Sequence, residues 1–339
     1  MRASIAAQHG KTSQMTLDEI RALAAADMAA VDRTIRTRLN SAVPLVEMVA
    51  EHIIAGGGKR LRPLVVVLAA RAATGRPPPD DRHLEAAAFI EFIHTATLLH
   101  DDVVDHSAKR RGRDTANALF GNEASVLVGD FVYSRAFQIM AATGSQRVIE
   151  IMADATNVIA EGEVLQLMNA HDPDTSEQRY LEVIHRKTAR LFEAGAQVAA
   201  VLCGADEPVQ AALALYGRHL GAAFQLIDDV LDYRSDPAMR GKNLGEDLAE
   251  GKPTLPLIHA LRESSGKDRE VLRAAVEHPI DADMDAVIAL IDRSGGIDYT
   301  RALAQREAAS ASAALGVLPA TPWREALSGL AIASVERDH

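Results

Sequence analysis

FIEFIHTATLLHDDVVDHSAKRRG, residues 89–112, reads as a helix whose apolar body ends in a concentrated block of charge. Asp101 and Asp105 stand four residues apart, so their carboxylates leave the same helix face one turn from each other. Asp102 lies about 100° round the axis from Asp101. FQLIDDVLDYRSD, residues 224–236, repeats the arrangement with Asp228, Asp229 and Asp232. Uncompensated carboxylates are costly to bury in such apolar helices, so something cationic must offset them. For a single cluster, a solvated face or pairing with neighbouring arginines would serve as well as a metal. The duplication favours metal. Oxygen-only donors, with no accompanying cysteine or histidine set, favour magnesium over zinc. Magnesium usually takes one or two carboxylates and fills its other positions with water and substrate phosphates, so the expected ligand is a diphosphate.

Outward from these two segments the helical reading continues along most of the chain. A threonine cap and acidic first turn open TLDEIRALAAADMAAVDRTIRTRL at Thr16. Breaks fall at residues 56–59, 75–81, 140–144, 169–177, 235–253, 263–267, 277–281 and 316–322. No alternating strand pattern, repeat or domain-separating linker stands out. The expectation is an all-α protein: a segment over residues 1–15 that is mobile, then one helical domain of about ten or more helices over 16–339. The Gly- and charge-rich insert 235–253 reads as a mobile phosphate-covering flap, although a solvated connection would have similar composition.

Nearly half of the 339 residues are hydrophobic but only 4% are aromatic, and the alanine-rich stretches suit close-packed helices. With 36 basic against 47 acidic residues, a net charge of −11 argues against nucleic acid as the main partner. Cys203 is the sole cysteine, which excludes an intrachain disulfide or cysteine-based zinc site and favours a reduced, cytoplasmic setting. Neither a secretory signal nor a membrane span is expected; peripheral membrane contact stays open.

GGGKRLRP, residues 56–63, places Lys59, Arg60 and Arg62 behind a flexible turn that can bring donors close to an anion. Arg110 and Arg111 follow the first triplet, and guanidinium groups suit multidentate phosphate recognition. Taken alone, each basic group would read equally as a solvated surface feature.

LLHDDVVD and LIDDVLD, in this order and at roughly this separation, resemble the first and second aspartate-rich motifs of the trans-polyprenyl diphosphate synthases. The resemblance runs from about residue 25 to Arg337 and includes GD at 129–130 and GEVLQ at 162–166. It implies an isoprenoid-synthase bundle with a central active-site cavity, acting on isopentenyl diphosphate and an allylic diphosphate primer. It also implies several Mg2+ ions held by Asp101, Asp102, Asp105, Asp228, Asp229 and Asp232, with Gln166 in support.

By the same resemblance, Lys59, Arg62, His94 and Arg111 bind the isopentenyl diphosphate, and Arg110, Lys187, Thr188 and Gln225 the allylic one. Lys242 and Lys252 match the closing loop; Asp101, Asp105, Asp228, Lys187 and Lys242 are the expected catalytic set. Where short-chain relatives carry an aromatic floor, this sequence has Ala96 and Thr97, so a floor must lie deeper, with Ile93, Phe92 and Phe89 as candidates. Small residues there would also suit tight helix packing alone. IHTATLLHDDVVD resembles the long-chain bacterial type, which implies octaprenyl to decaprenyl products for quinone (ubiquinone) side chains and a homodimer. The alternatives are a shorter-chain geranylgeranyl or farnesyl diphosphate synthase, or a non-catalytic subunit of a heteromeric synthase. Such subunits generally lose one triplet, and both are intact here. His106 departs from the glutamate that many relatives carry after the first triplet.

Overall fold

The computed structural model describes residues 14–56, 58–110, 112–234 and 245–337. The expected mobility of residues 1–15, for all but its last two positions, and the roles of Arg111 and Lys242 lie outside these described residues. The chain opens with α1 (Leu17–Leu39), α2 (Pro44–Ala55), α3 (Leu61–Ala73) and α4 (Arg82–Val104). A hairpin of β1 (Lys109–Arg110) and β2 (Arg113–Asp114) leads to α5 (Ala116–Phe120), α6 (Asn122–Ala142) and α7 (Gln146–Asn169). Next, α8 (Glu177–Ile184) passes through a π-helical turn, His185–Ala189, into α9 (Arg190–Leu202) and the long α10 (Glu207–Asp232). The remainder comprises α11 (Glu246–Ala249), α12 (Leu255–Glu263), α13 (Gly266–Glu277), α14 (Met284–Ser294), α15 (Gly296–Ala314) and α16 (Pro322–Val335).

The helical expectation is met, and the helix starts show why. Thr16 and Glu19 close a reciprocal capping box at α1, and Asp206 caps α10 ahead of a proline in its first turn. The expectation of no strand needs one correction. Lys109–Arg110 and Arg113–Asp114 form an antiparallel ribbon with Lys109 opposite Asp114 and Arg110 opposite Arg113. Strands of two residues are too short to leave an alternating pattern in the sequence. The turn into the hairpin takes His106 into left-handed backbone, φ 52°, a conformation histidine tolerates better than branched residues.

Small residues let the central helices approach closely. Ala69 and Ala70 of α3, Ala86, Ala87 and Ala88 of α4, and Ala194, Ala196 and Ala199 of α9 are all fully buried. The largest apolar cluster joins α3, α4, α6, α7 and α9. Helix α10 is the spine: Leu213, Tyr216 and Leu220 belong to that cluster, Val230 to a second with α12–α14, and Leu226, Ile227 and Leu231 to a third with α8 and α12. The C-terminal end of α10, where the second triplet sits, is thereby fixed by packing on several sides. No helix among the described residues is long and apolar enough to cross a membrane.

Candidate active site

The first triplet occupies the last turn of α4 and splits between two surroundings. Asp101 lies 3.4 Å from the Nζ of Lys187, and Asp105 lies 2.8 Å from the Nζ of Lys252. Asp102 turns away from them and is 4% exposed; it accepts from the Arg110 guanidinium at 2.7 and 2.8 Å. Burial disfavours the charge of Arg110, but the hydrogen bond and charge of Asp102 more than offset this and hold its pKa above the ordinary value. The buried carboxylate thus has the partner its desolvation demands.

Lys187 comes from the π-helical turn between α8 and α9, a distortion often found at functional sites. Its ammonium is shared by Asp101 and by Glu163 of α7, 2.5 Å away. Burial pushes the Glu163 carboxyl up to about 6, with Lys187 opposing the shift. Thr188 donates its hydroxyl to Gln225 Oε1 at 3.0 Å, and Gln225 Nε2 donates to Asp229 at 2.7 Å. The lysine-threonine element and the second triplet are therefore joined by one carboxamide.

In that second triplet, Asp228 keeps a side chain 45% exposed, whereas Asp229 and Asp232 are 2% and 1% exposed. Asp229 also accepts from the Tyr180 hydroxyl at 2.5 Å. Burial, reinforced by the charge of Asp247, pushes Asp229 well above the usual carboxylate range, although the Tyr180 and Gln225 hydrogen bonds pull it down. Asp232 accepts from the Asp247 backbone N–H at 3.2 Å. Arg337 reaches Asp228 at 3.4 Å while stacking 3.9 Å over the Phe224 ring.

Residues 245–254 close the other side. Lys252 is held between Asp105 and Glu250, at 2.8 and 2.7 Å. Burial alone would lower its pKa, but these two carboxylates raise it above the ordinary lysine value. His171 donates its backbone N–H to the Gly251 carbonyl at 2.8 Å, tying this segment to the loop after α7.

One cleft is lined by Gln166, Lys187, Thr188, Gln225, Asp229 and Lys252, among others. Its two lysines also meet Asp101 and Asp105, so Lys187 and Lys252 link the first triplet to the cleft that Asp229 lines. A second cleft, on the far side of α4, is lined by His94, Thr95, Asp102, Arg110 and Arg113. His94, seven residues before Asp101 in the same helix, lines this second cleft together with Asp102. Lys59 is exposed, and the Arg62 guanidinium stacks 4.6 Å over the Phe192 ring. Arg60 has a structural task, pairing with Glu91 at 2.6 Å and Asp32 at 3.7 Å.

Phe89, Phe92, Ile93 and Ala96 are buried in the main apolar cluster, and neither cleft is lined by them. Thr97 is half-buried and donates to the His94 carbonyl at 2.9 Å. Sequence reading passed over Glu163, Glu250 and Tyr180. Glu163 lies inside the quoted GEVLQ segment, and its acidic character beside Gly162 was the available signal; Tyr180 offered none.

Among the described residues, no three His, Cys, Asp or Glu side chains converge as a ready-made metal cage. The donor chemistry nevertheless fits a hard divalent cation. Asp101, Asp105 and Asp228 supply oxygen alone, and such a cation completes its shell with phosphate and water.

The Polyprenyl synthetase family matches residues 43–291. The chain is 54% identical to octaprenyl diphosphate synthase of Escherichia coli, over 96% of this chain and 100% of that one. In fold it superposes on the polyprenyl synthase of Caulobacter crescentus, crystallised with calcium and isoprenyl diphosphate, with a TM-score of 0.91 and 48% identity over 96% and 98% of the two chains. A decaprenyl diphosphate synthase from Rhodobacter capsulatus gives a TM-score of 0.88 and 46% identity over 95% and 99%. The likeness thus spans the whole bundle, both aspartate triplets included, and the chain belongs to the polyprenyl synthetase family.

Proposed function

We propose that the protein is a magnesium-dependent trans-prenyltransferase that extends an allylic diphosphate with isopentenyl diphosphate to octaprenyl–decaprenyl length, for quinone side chains. The observation that carries this reading is a cleft lined by Asp229 of the second triplet and by Lys187 and Lys252, the two lysines that pair with Asp101 and Asp105 of the first. The 54% identity to an octaprenyl diphosphate synthase supports the long product.

The reaction breaks the bond between the allylic carbon and its diphosphate, and the isopentenyl double bond attacks the resulting cation. Loss of a proton then restores a neutral double bond. Lys187, Thr188 and Gln225 bind and orient the allylic diphosphate, and the Lys187 ammonium stabilises charge developing on the departing group. Lys242 assists that stabilisation, and Lys252 of the closing loop binds the diphosphate from the other side. Arg110 joins them on the allylic diphosphate, and Lys59, Arg62, His94 and Arg111 hold the isopentenyl diphosphate. Magnesium, when held by Asp101, Asp105 and Asp228 with Asp102, Asp229 and Asp232 in support, supplies electrophilic stabilisation of the same leaving group. No side chain is assigned as the base; the released diphosphate serves.

Chain length is set along α4, where Ala96 and Thr97 leave room and Ile93, Phe92 and Phe89 form the floor. Opening that path requires the packed core beneath Asp101 to part. Enlarging Ala96 to phenylalanine then shortens the products; unchanged products remove Ala96 from the path. The protein works in the cytoplasm as a homodimer. Exposed Leu127 on α6 and exposed Val164, Leu167 and Met168 on α7 are apolar surface of the kind a second copy would cover.

The test incubates the protein with labelled isopentenyl diphosphate, farnesyl diphosphate and magnesium, and separates dephosphorylated products by length, with a chelator control. Long, chelator-sensitive polyprenols are expected. A short product overturns the length assignment, and no incorporation with either farnesyl or geranylgeranyl primer overturns catalysis.

A further inference from the structure

Three consecutive residues of α7, Glu161, Gly162 and Glu163, grip two consecutive residues of the π-helical turn. Glu161 pairs with Arg186 at 2.6 Å, and Glu163 with Lys187 at 2.5 Å. Between them, Gly162 lies so close to the turn that a Cβ would meet the Lys187 backbone nitrogen at 2.8 Å. The grip is thus built from two ion pairs flanking a backbone contact that only glycine permits. Arg186 is further braced by Glu182 at 2.9 Å, so its side of the grip serves the fold. Lys187 differs: its other anionic neighbour is Asp101, at 3.4 Å.

A lysine drawn fully onto Asp101 would satisfy with its own ammonium the carboxylate that a divalent cation needs. The two cations compete for one anion at close range in a partly desolvated site, where charge pairing is strong. Glu163, one ångström nearer, takes the larger share of the ammonium in the ligand-free enzyme.

We infer that Glu163 is a positioning residue: it holds Lys187 away from Asp101 so that this carboxylate stays available to a divalent cation. This rests on the proposed role of Asp101 as a metal ligand, and the test reads metal binding directly rather than turnover. Manganese is titrated into the substrate-free protein and the unbound ion followed by electron paramagnetic resonance, for wild type, E163Q, E161Q and the double variant E163Q/K187Q. E163Q is expected to weaken binding by about tenfold, the scale typical of groups that support metal ligands. E161Q, which loosens only the Arg186 side, keeps wild-type affinity. Adding K187Q to E163Q restores affinity, because the competing ammonium is gone; a merely structural role for Glu163 predicts no such recovery.

Should E163Q lower the unfolding midpoint more than E161Q does, E163D is titrated as well and weakens binding to a smaller extent. Wild-type affinity in both Glu163 variants overturns the inference, as does a double variant no tighter than E163Q, or a wild type that binds no manganese. A protein that fails to elongate but shows the pattern above loses the proposed activity and keeps this assignment.

Discussion

At the end of α4, Asp101 and Asp105 each meet a lysine ammonium; at the end of α10, Asp229 and Asp232 meet a phenol, a carboxamide and a backbone N–H. The two triplets share the same spacing. The first keeps two carboxylates on a charged face whose cations, Lys187 and Lys252, come from separate elements. The second keeps Asp228 open and buries the other two, Asp229 between the Tyr180 phenol and the Gln225 carboxamide. Identical patterns of residue type therefore divide their labour by surroundings: under the proposed function the first triplet exchanges its lysines for metal ions, while the second is held rigidly by the packing at the end of α10.

The largest effects should separate the exposed from the buried carboxylates. D101N is expected to lower kcat by about 10²–10³-fold, the scale of losing one principal electrostatic contact to a departing group. D228N should fall near the lower end of that range. D229N, at a buried carboxyl held by the Tyr180 phenol and the Gln225 carboxamide, should cost only about tenfold, as for a supporting group. Steady-state rates at saturating magnesium rank the three; a D229N defect equal to that of D101N would erase the distinction between the triplets.

Y180F sharpens the same contrast at smaller scale. Removing the hydroxyl leaves buried Asp229 with one donor fewer, which should lower unfolding stability by about 1–3 kcal/mol. Chemical denaturation measures it. Turnover should change less than in D229N, since the carboxylate remains. A variant as stable as wild type would mean that Tyr180 contributes nothing to the rigidity assigned to the second triplet.

This division of labour marks how far the sequence could be read. Helical spacing alone put Asp101 beside Asp105 and repeated the pattern at Asp228 and Asp232, because those relations lie within one helix. Which cation each carboxylate meets is decided by elements far apart in the chain. Lys252 reaches Asp105 across 147 residues and Tyr180 reaches Asp229 across 49, and no local pattern encodes either contact. Arg60 illustrates the converse. It stands between two residues that the resemblance assigns to phosphate, yet left-handed backbone turns it to Glu91 and Asp32. The floor residues were legible as an apolar run, but their enclosure in the main core, away from both clefts, depends on how α4 packs among its neighbours.

The smallest effect concerns how Lys252 is placed against the first triplet. Gly251 precedes Lys252 and has φ 74°, where a side chain costs about 1–2 kcal/mol. A Cβ there would also collide with the His171 ring. G251A must therefore shift either the ring or the segment that carries Lys252. The expected result is a severalfold rise in KM for the diphosphate substrates with a smaller change in kcat, because Lys252 is displaced while Asp105 is untouched. The second variant H171A/G251A removes the ring and should recover part of the lost affinity, leaving only the backbone cost. If G251A and H171A/G251A bind substrate equally poorly, contact with His171 has no part in placing Lys252. If both bind as wild type does, the Lys252 side of the first triplet is more adaptable than its geometry implies, and the contrast with the rigid second triplet becomes sharper.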